Sequence, residues 1–226
     1  MKETTRRSFL KCSLGAAAAW TAGPLAGWSA SAATRRGQGI KIGLVTYMWG
    51  AAWDLPTLIA NCEKGKMAGV ELRTTHAHGV EPSLTSAQRA EVKKRFADSA
   101  VALLGPGSNE NFDSPNPDAL KRAIEATKGF VKLSHDVGGS GVKVKPNSLH
   151  KGTDPEVTIA QIGKSLNEVG KFAGDYGQQI RLETHGSCAP PAIMKRIMDH
   201  VTDPNVAICW NSNPVDLKDG GFEHNF

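Results

Sequence analysis

Six short apolar runs recur along the chain at intervals of about 33 residues, each followed by a stretch with helical periodicity. The runs are Ile40-Lys41-Ile42-Gly43-Leu44-Val45, Gly69-Val70-Glu71-Leu72-Arg73, Val101-Ala102-Leu103-Leu104, Gly141-Val142-Lys143-Val144-Lys145, Gln179-Ile180-Arg181-Leu182-Glu183 and Val206-Ala207-Ile208-Cys209-Trp210. Between them apolar residues fall at helical spacing, as in Leu55, Leu58 and Ile59, or Ile159, Ile162, Leu166 and Val169. Asp54, Thr85 and Asp154 supply helix-starting side chains, and Val137-Gly138-Gly139 and Tyr176-Gly177 supply helix ends. The third run is expected to stop at Gly105-Pro106-Gly107-Ser108. Sustained strand–helix alternation predicts a parallel sheet covered by helices. A nucleotide-binding doubly wound sheet fits poorly, because the first strand leads into Thr46-Tyr47-Met48-Trp49-Gly50 and not into a glycine-rich loop. That aromatic turn suits a sugar-sized pocket, so the expected fold is α/β, a (β/α)8 TIM barrel.

The amino terminus reads as an address. Thr5-Arg6-Arg7-Ser8-Phe9-Leu10-Lys11 is a twin-arginine signal, followed by an alanine-rich apolar stretch and a small-x-small site at Ala30-Ser31-Ala32. Gly15, Gly23 and Pro24 interrupt that stretch, so no stable membrane span is expected. Residues 1–32 are assigned to the signal, 33–39 to a linker and 40–226 to the barrel domain, with export to the periplasm or beyond. Without the signal, the 27 basic and 22 acidic residues fall to 23 and 21, which lends no support to nucleic-acid binding. Three cysteines then remain, Cys62, Cys188 and Cys209. They have no CxxC spacing, and Cys62 and Cys209 read as core residues.

Arg181-Leu182-Glu183-Thr184-His185-Gly186 carries the most chemistry. Side chains alternate along a strand, so Glu183 and His185 point the same way, towards the carboxyl-end rim where barrels do chemistry. A carboxylate and a neutral imidazole are also good ligands for a divalent metal. The plainer reading is a surface pair of Arg181 with Glu183 and a loop histidine.

These segments resemble the xylose-isomerase-like barrels, a family of sugar phosphate isomerases and epimerases, and its exported twin-arginine members in particular. The resemblance covers roughly residues 38–226. It rests on the segment 69–79, on Gly141-Val142-Lys143-Val144-Lys145-Pro146-Asn147, on the 181–186 segment and on Cys209-Trp210-Asn211-Ser212-Asn213. It implies a divalent metal (manganese, magnesium, cobalt or zinc) held by acids from strands five and six, a histidine from strand seven and a glutamate from strand eight. Glu183 matches the first position, while Asn211 stands where an aspartate is usual. An eight-unit barrel needs about sixty residues more than follow the sixth strand, so a carboxyl-terminally shortened barrel of about six β/α units is expected.

The resemblance implies a metal-dependent isomerase or epimerase of a small sugar or sugar phosphate, active in a full-length form. Glu183 would be metal ligand and acid/base, with proton transfer beside a carbonyl polarised by the metal. His185 would either ligate the metal or orient Glu183 and touch substrate. Asn211 and Asn213 either ligate or cap the loop. Further candidates for substrate contact are His76, Lys145, Trp49 and Glu71, with Trp53 and Trp210 beside Trp49 as an aromatic wall. Glu71 is expected to pair with Arg73 or Lys145, and only one of Lys143 and Lys145 to face inward. A carbohydrate- or partner-binding barrel without catalysis is the competing class, favoured by the neutral Asn211. A metal phosphodiesterase of the zinc-dependent endonuclease branch would need His76 and His78 as ligands, and strand three offers it no histidine. Barrels of this type commonly pair, making a homodimer one expectation.

Overall fold

Every crossover moves one place sideways in the same direction. In the computed structural model, which describes residues 40–218 and 220–225, the elements alternate without exception. They are β1 (Gly43–Val45), α1 (Leu55–Lys64), β2 (Gly69–Arg73), α2 (Ser86–Ala97), β3 (Ala102–Asn111), α3 (Pro117–Val137), β4 (Gly141–Lys145), α4 (Pro155–Asp175), β5 (Gln179–Glu183), α5 (Pro191–Asp199), β6 (Val206–Cys209) and α6 (Phe222–Asn225). All neighbouring strands are parallel, in the order β1-β2-β3-β4-β5-β6. A doubly wound sheet reverses its order at a switch point; this one never does. Sequential order is that of a barrel wall, here with six β/α units. The expected signal and linker, residues 1–39, lie outside the described residues. Among the described residues no helix is long and apolar enough to cross a membrane.

Strand alternation divides the sheet into two unlike faces. Val70 and Leu72 of β2, Val142 and Val144 of β4, and Ile180 and Leu182 of β5 are fully or almost fully buried. They meet the helices through Leu58, Val131, Leu133, Ile159, Ile162, Leu166 and Ile197. This is the core. The intervening residues, Glu71, Arg73, Lys143, Lys145, Arg181 and Glu183, therefore share the opposite face of the sheet. That face is polar because the strands carry charges at every second position.

Helix starts follow the side chains that satisfy their free N–H groups. Asp54 accepts from the Thr57 amide, Thr85 forms a reciprocal box with Gln88, and Asp154 accepts from the Glu156 amide. Gly138, at φ 84°, closes α3 in the left-handed region, where glycine carries no Cβ penalty.

The third strand departs from expectation. It runs on from Ala102 to Asn111, through the Gly-Pro-Gly segment read as its end. A register shift opposite Val70 and Glu71 bulges Leu104 out of the ladder, with Gly105 taking φ 130° beside it. Pro106, which lacks an N–H, sits next to that bulge, where a strand tolerates it. A Cβ on Gly105 would collide with the Gly141 carbonyl of β4. Gly152, also at positive φ, has open space instead. Gly105→Ala is therefore expected to lose at least about 2–3 kcal/mol, and Gly152→Ala about 1 kcal/mol, in urea denaturation. Equal losses would contradict a packed β3–β4 approach.

Candidate active site at the carboxyl ends of the strands

The inner face closes into a cavity of about 380 Å3 lined by Glu71, Arg73, Lys143, Lys145, Glu183, His185 and Asn211 among others. Glu183 and His185 both reach it, as their spacing predicts. Lys143 and Lys145 also both reach it. The expectation that only one would point inward is corrected by the same rule, since residues two apart share a face.

Lys143 is the centre of the arrangement. Its ammonium lies 2.7 Å from Glu71 Oε1 and 3.3 Å from Glu183 Oε2. The three side chains are only 10–12% exposed. The two carboxylate oxygens have no hydrogen-bonding partner among the described residues beyond this ion pairing. Glu71 therefore does not pair with Arg73 or Lys145, as the sequence suggested. The reason is Gly107, which stands in register with Arg73 on one side and Lys143 on the other. A Cβ there would come within 2.5 Å of Glu71 Oε1. Its absence opens the gap through which β2 and β4 side chains meet across β3. Burial works against the charged ammonium, but Glu71 and then Glu183 outweigh it, raising the Lys143 pKa above the ordinary 10.5.

Glu183 is held from a second direction. Its Oε1 accepts from Asn211 Nδ2 at 3.1 Å. Asn211 is itself fixed to Thr184, whose hydroxyl accepts from the Asn211 amide and donates to its carbonyl, both at 2.8 Å. Asn213 caps the loop, donating its side-chain amide to the Thr184 and Asn211 carbonyls. His185 lines the cavity with a buried Nδ1 that has no hydrogen-bonding partner among the described residues.

At the outer rim, Arg73 Nη2 and Lys145 Nζ donate to one oxygen, Asn109 Oδ1, at 3.0 and 3.3 Å. The Arg73 guanidinium also lies 4.6 Å over the Tyr47 ring. Burial and then the Arg73 charge push the Lys145 pKa down. Tyr47 and Trp210 form the aromatic part of the lining. Trp49 does not reach the cavity, being 76% exposed, and Trp53 packs against the core. His76 does not reach it either: its Nδ1 bonds the Thr46 hydroxyl at 3.1 Å. His78 is buried, with Nε2 on the Arg73 carbonyl and Nδ1 accepting from the Val80 amide. Both its nitrogens are committed to the backbone, which removes the histidine pair that a phosphodiesterase would need. Cys209, expected as core, is half-buried on the cavity side, while Cys62 is buried as expected.

The sequence left Lys143 open as the alternative to Lys145, read Tyr47 only as part of an aromatic turn and Arg73 only as a partner of Glu71, and gave no site role to Gly107 or to Ser108, whose hydroxyl donates to the Lys143 carbonyl at 2.7 Å. The signal for Lys143 was present in its two-residue spacing from Lys145. Gly107 and Ser108 were hidden because Gly-Pro-Gly reads as a turn.

The profile of the xylose isomerase-like TIM barrel family matches residues 59–212. The chain belongs to that family. No curated protein matches the sequence. Solved structures of similar fold include a D-psicose 3-epimerase from Clostridium cellulolyticum H10 with D-tagatose, at TM-score 0.64 and 20% identity, covering 76% of this chain and 63% of that one. An IOLI protein with a bound zinc atom gives TM-score 0.64 and 18% identity, covering 75% and 62%. The 3-keto-D-glucoside 4-epimerase of E. coli gives TM-score 0.68 and 12% identity, covering 83% and 74%. The chain thus spans less than two thirds of the first two proteins' length. At these identities the likeness is one of fold.

A divalent metal, implied by the family resemblance, does not fit the donors assembled here. Among the described residues no three His, Cys, Asp or Glu side chains come together as a metal-holding group. Lys143 already sets a positive charge 3.3 Å from Glu183 Oε2, and the other Glu183 oxygen faces the Asn211 amide. What remains, the His185 Nδ1 and the Asn211 oxygen, is a neutral pair.

This charge balance generates a stability prediction. Lys143→Met should cost about 3–5 kcal/mol, because it leaves two buried carboxylates uncompensated. Replacing all three groups, Glu71→Gln, Lys143→Met and Glu183→Gln together, should cost less than Lys143→Met alone. Because the folded Lys143 pKa is raised, its contribution is complete below pH 10.5 and is lost only as pH rises through the folded value. Denaturation curves at neutral pH and above pH 10.5 check both statements; a smaller loss for the single variant than for the triple would refute them.

Proposed function

We propose that the chain serves an isomerase or epimerase acting on a small sugar or sugar phosphate. Glu183 is the group that moves the proton beside the substrate carbonyl. The observation that carries this reading is the Glu183 carboxylate, fixed from two directions by Lys143 and Asn211 in a cavity of about 380 Å3 at the strands' carboxyl ends. Such a cavity matches a small ligand. The D-psicose and 3-keto-D-glucoside epimerases of similar fold support the substrate class.

The chemistry follows from the residues. Glu183 accepts the proton from the carbon beside the carbonyl; the C–H electrons form the enediolate double bond and the carbonyl oxygen takes the negative charge. Lys143, 3.3 Å from Glu183 Oε2, is the cation nearest the base and offsets that charge as it develops. For isomerisation Glu183 returns the proton to the former carbonyl carbon while the hydroxyl proton of the adjacent carbon passes to the old carbonyl oxygen; for epimerisation water protonates the original carbon from the opposite face and Glu183 gives up its proton to solvent. Lys143 and Asn211 hold the carboxylate aimed, which places the base before substrate arrives. The Thr5–Lys11 segment supports export to the periplasm as the setting.

A binding barrel without catalysis is the second reading, favoured by the neutral Asn211 beside Glu183 and by the Lys143 counter-charge. Assays on a panel of ketoses and aldoses, beside calorimetric titration with the same sugars and with Mn2+, separate the two. Glu183→Gln should lower turnover by about 100- to 10,000-fold with the fold and sugar binding intact. Sugar binding without turnover in the unaltered protein would give first place to the binding barrel. Tight Mn2+ binding lost in Glu183→Gln would establish the metal-dependent form of the isomerase.

A further inference from the structure

Within the cavity, the charges are not evenly compensated. Lys143 faces two carboxylates, Glu71 and Glu183, and satisfies both. Arg73 and Lys145, nearer the rim, share one neutral acceptor, Asn109 Oδ1. Neither forms an ion pair with any Asp or Glu among the described residues. Two cations drawn to one amide oxygen repel each other, and an amide dipole cannot neutralise them. The arrangement persists at the mouth of a pocket whose other anionic groups are already taken.

We infer that Arg73 and Lys145 form an oxyanion subsite, so that the substrate carries a carboxylate or phosphate group bound at the rim while its carbon chain reaches Glu183. This rests on the proposed function for the direction of the chain, but the anion contact stands on the geometry alone. The guanidinium is a planar fork suited to two oxygens of one oxyanion, and the Tyr47 ring beneath it, 4.6 Å away, limits its tilt. Asn109 holds Lys145 beside it, so the guanidinium and the ammonium meet at one oxygen. The lowered Lys145 pKa, caused by burial and by Arg73, is the electrostatic trace of that crowding, and an arriving anion would relieve it.

The test is calorimetric titration at low ionic strength, where the contact is least screened. The probes are inorganic phosphate, glucose 6-phosphate, glucuronate and glucose, read against the intact chain and against Arg73→Gln, Lys145→Gln and Asn109→Asp. Glucose 6-phosphate or glucuronate should bind at least tenfold more tightly than glucose, and the stronger of the two identifies the oxyanion. Each glutamine variant should weaken the charged probe about tenfold while leaving glucose unchanged, and Lys145→Arg should restore it. Asn109→Asp, at an exposed position, supplies an internal counter-charge and should abolish the preference even if a glutamine variant fails to fold. Equal affinity for glucose and both charged sugars, or a preference that survives Asn109→Asp, would overturn the inference. Phosphate binding without isomerase turnover would sink the proposed catalysis and leave the subsite standing; turnover of neutral sugars without phosphate binding would do the reverse.

Discussion

One buried ammonium organises the inner face of this sheet. Lys143, on β4, reaches Glu183 of the neighbouring β5 and, across the bulged β3, Glu71 of β2. Without it, two carboxylates would face a poorly hydrated pocket with no counter-charge. With it, both are paired and oriented. The contact depends on a residue with no side chain at all, because only glycine at position 107 leaves room for Glu71 beside Lys143. The bulge at Leu104 and Gly105 sets the register that brings Gly107 level with Arg73 of β2, and Gly107 pairs with Lys143 of β4 on its other side. Backbone irregularity in one strand thus becomes charge geometry in its neighbours.

Much of the fold was legible because alternation and capping are local. The boundaries of β2, β4 and β5 agree with their apolar runs, and Asp54, Thr85 and Asp154 cap the helices they precede. The third strand was not legible: Gly-Pro-Gly signals a turn unless a tertiary bulge accommodates it. In the site, Glu183, His185, Asn211, Glu71 and Lys145 were found because they sit at strand ends, where direction follows from spacing. His76 and Trp49 were misplaced because they lie in loops, whose side-chain direction no period fixes. Lys143 was left open as the alternative to Lys145 although their spacing put both on one face. The partner of Glu71 could not be read at all, since it depends on what β3 leaves empty.

The site is layered by charge. An inner trio of Glu71, Lys143 and Glu183 is nearly balanced, and an outer pair of Arg73 and Lys145 is not. This gradient separates two tasks that a sugar-converting site must perform: holding a base in place, and drawing a substrate in by a group remote from the reacting carbon. Asn211 fits the inner layer, because its amide adds a donor to Glu183 without adding charge. An aspartate there would set a second negative charge against Glu183 in place of a donor.

The most direct measurement is the titration of the Lys143 ammonium itself, followed by nitrogen-detected NMR with Lys143→Met used to assign the signal. Exposed lysines lose their proton near the ordinary value of 10.5. The account predicts that Lys143 keeps its proton beyond that point for as long as the fold persists. A Lys143 that deprotonates at lower pH than the exposed lysines would contradict it, because burial would then outweigh the two carboxylates and the ammonium could not be what holds Glu183 in place.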